Sequence, residues 1–144
     1  MPTVLLASDG SANADRALAY VIKQIQQGSL LGDACTVNLL YVHPLLPSRI
    51  SQGMTAEDLH EHYESHSAAA LATAVKQLQQ AGISVTTHTR IGAPGASIVA
   101  CAKELNCQSI VIGSHGAGLT LGLLLGSVAS AVVKLSDVPV TLVK

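Results

Sequence analysis

Apolar positions in this 144-residue chain follow two rhythms that alternate from one end to the other. Thr3 to Ala7 is a short apolar run of the kind buried on both faces of a sheet, and Ser8-Asp9-Gly10-Ser11 interrupts it. Spacings of three and four then take over. Ala14, Ala17, Leu18, Val21, Ile22 and Ile25 share one helical face, opposite Asp15, Arg16, Lys23 and Gln24, and Gly28, Gly32 and Asp33 end the helix. Thr36 to Val42 predicts a second strand, closed by His43-Pro44 because a residue before proline is driven out of helical geometry. Residues 44–54 hold two prolines and no period, which predicts a loop or a mobile cover. From about Thr55 to Gln80 the chain predicts a long helix, with Leu71, Val75 and Leu78 on one stripe and Gly82 as its terminator. Ile83 to Ile91 alternates as a third strand, and Gly92-Ala93-Pro94-Gly95 turns into a helix carrying Ile98, Val99 and Ala102. Ser109 to Ile112 reads as a fourth strand, Ser127 to about Leu135 as a short helix, and Val138 to Val143 as a fifth strand.

Strands alternating with helices predict an α/β fold of one domain over residues 1–144: a doubly wound, mostly parallel five-stranded sheet with helices on both faces. Ligands in such folds sit outside the carboxyl ends of the strands, where strand order reverses, which directs attention to Asp9, Val42 and Gly113. Val138–Val143 is expected at a sheet edge, where a second copy of the chain would cover it as a homodimer.

Composition narrows the partners. Eight Lys plus Arg against nine acidic residues create no net field toward nucleic acid or an anionic membrane, and with neither Phe nor Trp there is no stacking platform for single strands. Cys35, Cys101 and Cys107 have no C-x-x-C spacing and read as small buried hydrophobes in a reducing, cytoplasmic setting, since no signal-peptide pattern opens the chain. Residues 110–133 carry no charged side chain and are long enough to span a bilayer. Their glycines, His115 and hydroxyl residues argue against a membrane helix.

Within that segment, Gly113 to Gly118 follows a strand and Gly126-Ser127 opens a helix, so two glycine groups can flank an anion. P-loop spacing is present, but Leu119 stands where the lysine belongs; a dinucleotide fingerprint fails at Leu121 and follows the wrong strand. Gly113-x-x-Gly116, nine residues, then Gly126-Ser127 resembles the ATP-binding motif of the universal stress protein family. The resemblance extends along the chain through "VLLASDGS", "NLLYV", "RIGAPGASIV", "SIVIGSHG" and "VPVTLVK".

That resemblance implies a Rossmann-like fold of the adenine nucleotide alpha hydrolase type and a stress-response regulator that binds ATP or AMP, with Mg²⁺ on the phosphates. It places adenine near Ala7, Val42 and Ile112, ribose near Asp9 and Gly113, and phosphates against Gly116, Gly126, Ser127 and Val128; Ser8, His115 and Ala129 complete the implied set. Asp9 has a plainer reading as the cap of the first helix. Many relatives carry Arg or Lys after the second glycine, whereas 117–122 here reads Ala-Gly-Leu-Thr-Leu-Gly, so ATP is expected to need Mg²⁺ and AMP to compete well. Leu119, Leu121 and Leu123 to Leu125 read as core or dimer surface.

Other constellations are weaker. His62 and His66 lie one helical turn apart in "HEHYESH", but Glu64 breaks the zinc-protease motif and no third ligand is evident, so a solvated helix face is expected. His43 and His115 are candidates for the cleft, and His88 for a surface strand position. Ser114 or Ser127 with His115 and Asp9 lacks a nucleophile elbow, and no general base or arginine finger is evident. Binding rather than turnover is the expected output, with no catalytic residue assigned. A slow Mg²⁺-dependent ATPase or phosphotransferase and a nucleotide-free homodimeric interaction protein remain alternatives.

Overall fold

The computed structural model describes residues 2–28, 35–44, 48, 52–115 and 125–144. The expectations for the cover over 44–54 and for Leu119, Leu121, Leu123 and Leu124 fall largely or wholly outside them. Five strands, β1 (Thr3–Ala7), β2 (Thr36–His43), β3 (Val85–Ile91), β4 (Ser109–Gly113) and β5 (Val140–Val143), alternate with α1 (Ala12–Gln26), α2 (Ala56–Gln80), α3 (Pro94–Glu104) and α4 (Ser127–Leu135). Strand order is β3-β2-β1-β4-β5, and every ladder is parallel. The chain moves outward from β1 to β3, then crosses back to β4, so strand order reverses beside β1.

Side-chain alternation splits the core into two layers. Val4, Leu6, Val37, Leu39 and Val111 meet Ala17, Leu18 and Val21 of α1 and Leu71, Ala74 and Leu78 of α2. From the opposite face Leu5, Ala7, Leu40, Ile110 and Ile112 meet Ile98, Cys101 and Ala102 of α3 and Val132 of α4. All three cysteines are buried and free, and burial pushes each thiol above its ordinary value, so they stay protonated core groups. Among the described residues no helix is long and apolar enough to cross a membrane.

Element ends follow local chemistry. Ser11, not Asp9, caps α1 by accepting from Ala14 N–H, and Thr55 and Asp58 form a reciprocal capping box at α2. Past the end of α2, Gly82 takes φ +74° and Ile83 N–H returns to Leu78 C=O, with both apolar side chains in the core. That closing turn uses Ile83, which is why β3 starts at Val85 rather than Ile83. β5 starts at Val140 rather than Val138 because Ser136 ties up Val138 and Pro139 has no N–H to offer the ladder. β5 is indeed an edge strand, and β3 is the other.

Two histidines depart from expectation. His88 is half-buried and hydrogen-bonds through Nε2 to Asn38 Oδ1 at 2.9 Å, while Asn38 Nδ2 faces Cys107 Sγ. His43 is 3% exposed and turns under α2, away from the cleft. Ser67 Oγ donates to Tyr63 C=O at 2.9 Å, which makes His43 Nε2–H the donor to Ser67. Tyr41 and Tyr63 pack edge-on against its ring.

Desolvation, with His66 and His62 nearby, pulls the His43 pKa below histidine's ordinary 6.5. His88 is lowered as well, by burial and by Arg90. For both, the unfolded state binds protons that the fold excludes, so this stability is present above about 6.5 and drains as pH falls through that value. Urea unfolding between pH 8 and pH 5 should show the decline, and His43→Gln should flatten part of it; an unchanged slope would count against the buried neutral imidazole.

Candidate functional site

The carboxyl ends of β1, β2 and β4 open into a cleft of about 210 Å³ between the sheet and the helix pair α3 and α4. Its floor is apolar: Ala7 and Leu40 project from the sheet beside Val42 and Ile112, and Ile98 of α3 closes one side. Ser8, Asp9 and His115 stand at the polar end, and Val128 and Ala129 bring in the first turn of α4. Gly113 also lines the cleft, Gly126 and Ser127 begin α4 without contributing to the wall, and Gly116 lies outside the described residues.

The sequence reading missed Ser11, Ala14, Tyr41, Leu40, Pro44, Pro94 and Ile98, all of which line the cleft. Pro94 carried a signal: proline at the first helical position fixes where α3 begins, and strand order brings that end to the cleft. No local pattern marks Leu40 or Ile98 as anything but core.

Asp9 shapes the turn after β1. Its Oδ1 accepts the Ser11 N–H at 2.9 Å, and the following Gly10 adopts φ +78°. The carboxylate is exposed at the rim of the cleft.

α4 starts at an N-cap glycine, Gly126, with no side-chain cap. The first intrahelical bond is Ser130 N–H to Gly126 C=O, which leaves the amides of Ser127, Val128 and Ala129 ahead of it as the donors of a helix N-terminus. Gly126 N–H itself donates to Ser114 C=O at 2.7 Å, so it holds the turn together rather than facing the cleft.

Gly113 also has a different reason for being glycine than close approach to an anion. A Cβ there would come 2.8 Å from Asn13 Cγ and overlap its amide oxygen. Ser114 is 2% exposed, and its Oγ lies 3.0 Å from His115 Nδ1. Among the described residues no three His, Cys, Asp or Glu side chains gather to hold a metal. His62 and His66 lie 4.1 Å apart between ring centroids, tilted by 54°, with His62 half-buried and His66 exposed on α2.

An apolar floor, a hydroxyl and carboxylate rim and an uncapped helix N-terminus together suit a flat apolar ring joined to an anionic group. A model of the universal stress protein family matches residues 1–144. The chain belongs to that family.

Universal stress protein MJ0577 of Methanocaldococcus jannaschii is 38% identical over 69 residues, 48% of this chain and 43% of that relative's length. The solved structure of MJ0577 superposes with a TM-score of 0.83 at 28% identity, covering 99% of this chain and 94% of that one. The universal stress protein from Archaeoglobus fulgidus in complex with dAMP gives a TM-score of 0.64 at 28% identity, covering 100% and 98%. As a member of this family the chain has the Rossmann-like arrangement expected from its sequence, here with all five strands parallel.

Proposed function

We propose that the cleft binds an adenine nucleotide and that occupancy, not turnover, is the output of a regulatory protein. The observation that carries this reading is the apolar cleft ending on the uncapped N-terminus of α4. The base lies over Ala7, Val42 and Ile112, the ribose reaches Asp9, and the phosphates meet the amides of Ser127, Val128 and Ala129. Complex formation with dAMP by the Archaeoglobus fulgidus relative supports the ligand class. The half-buried edge strand β5, beside exposed Val133 and Leu135 of α4, supports a homodimer through Val138–Val143.

Residues 117–122 carry no cation, so nothing in that loop neutralises a triphosphate. ATP therefore takes Mg²⁺ with it, and AMP binds comparably without metal. Calorimetry with AMP, ATP and Mg²⁺-ATP tests this. Binding of AMP and Mg²⁺-ATP above metal-free ATP is expected; tighter metal-free ATP would overturn the charge argument, and no binding of any of the three would overturn the nucleotide reading itself.

A further inference from the structure

Asn13 is a buried amide in the first turn of α1, 6% exposed, and both ends of its side chain are engaged far away in sequence. Oδ1 accepts the His115 N–H at 2.7 Å, just beyond β4. Nδ2 donates to Val143 C=O at 3.1 Å, at the end of β5. The same Val143 carbonyl also accepts Ser114 N–H at 2.8 Å, and Ser114 C=O in turn accepts the N–H of Gly126, the N-cap of α4. One side chain thus ties together the turn that leaves β4, the end of the edge strand and, through Ser114, the start of the helix whose first turn lines the cleft.

We propose that Asn13 is the positioning residue of this site, a two-ended clamp that sets the β4 turn and the entry to α4, and that Gly113 is glycine to admit it. Asn13 is not among the residues lining the cleft, so it acts through others. Its chemistry is specific. An amide offers a donor and an acceptor on one planar head, and here each meets the complementary backbone group; a carboxylate, a hydroxyl or an alkyl group supplies at most part of that. Losing the amide takes the Asn13 acceptor from the His115 N–H and one of two donors from the Val143 C=O, which keeps the Ser114 N–H. Its effect on ligand affinity rests on the nucleotide reading above; the clamp itself does not.

Two readouts test the clamp, and a third tests its consequence. In Asn13→Ala the His115 amide should exchange with solvent about tenfold faster or more, the loss expected for one buried hydrogen bond. Gly113→Ala should lower the melting temperature in the wild-type background but less in Asn13→Ala, because the added methyl then meets only the backbone carbonyl of residue 13, at 3.1 Å, and no side-chain amide. AMP affinity should fall about tenfold in Asn13→Ala. Ile83→Ala, a core truncation at the opposite end of the sheet, should lower stability and leave AMP affinity unchanged.

If Asn13→Ala does not fold, Asn13→Asp keeps the acceptor for His115 and should keep that amide protected. Wild-type exchange at His115 in Asn13→Ala, or equal melting losses from Gly113→Ala in both backgrounds, would overturn the clamp. AMP affinity unchanged in Asn13→Ala would overturn its positioning role. A wild-type chain that binds no AMP defeats the nucleotide reading, while the exchange and double-variant results still decide the clamp.

Discussion

Val128→Asp should weaken AMP binding by a hundredfold or more while α4 stays folded. Val128 is the second residue of α4, half-buried, and lines the cleft at the first turn of the helix. An aspartate in a first turn complements the helix dipole by about 0.3–1 kcal/mol, which offsets part of the valine packing that is lost. The same carboxylate meets the phosphate as a like charge: at about 4 Å and an effective dielectric near 20 the repulsion is about 4 kcal/mol, and each ~1.4 kcal/mol is tenfold in affinity. Adenosine, which has no phosphate, should bind the variant within a few-fold of wild type. Calorimetry with the two ligands separates the cases, and AMP binding at wild-type strength would remove the phosphate from the N-terminus of α4.

Leu40→Ala should cost about 2–5 kcal/mol of unfolding free energy, a large share of the roughly 5–15 kcal/mol typical of a domain. Leu40 is fully buried in β2, opposite Ala7 of β1 and within the layer that includes Ile98 of α3. It is also part of the cleft floor, so the truncation removes enclosed contacts and deepens the place where a base would rest. Backbone pairing does not depend on the side chain: Leu40 C=O still accepts Ser8 N–H, and the parallel register with β1 persists. Urea titration should therefore give a lower midpoint with an unchanged slope. A midpoint shift worth less than about 1 kcal/mol would mean that the leucine is not enclosed by sheet and helix as described.

How far the sequence reached can be seen element by element. α4 runs over the residues expected of it, and β1 likewise, because a run of buried β-branched and leucine residues or a spacing of three and four is a local property of the chain. β3 and β5 were overextended at their starts, where a helix-closing turn and a serine-proline pair claim residues that look like strand. The cysteines were legible as core from type alone. Histidines were not: a polar ring on a strand gives no local sign of whether a neighbour across the sheet, Asn38 for His88, or a helix above it, α2 for His43, will cover it.

The cleft divides in the same way. Asp9, Val42 and Gly113 follow from the strand ends, and Ala7, Ser8, Ile112, His115, Val128 and Ala129 from the resemblance to the family; all of them line it. Asp9 as the helix cap did not survive, since Ser11 has the geometry and Asp9 instead shapes the preceding turn.

By itself the sequence determined the order and kind of the elements, the parallel α/β class and the glycine spacing of the family, because periodicity, caps and turn residues act within a few positions of one another. Only the tertiary structure decided the strand order that brings Pro94 and Ile98 to the cleft, the burial of His43, and the real occupant of the space beside Gly113. Asn13 is a hundred residues from that glycine along the chain and in contact with it in the fold, and no local rule relates two such positions.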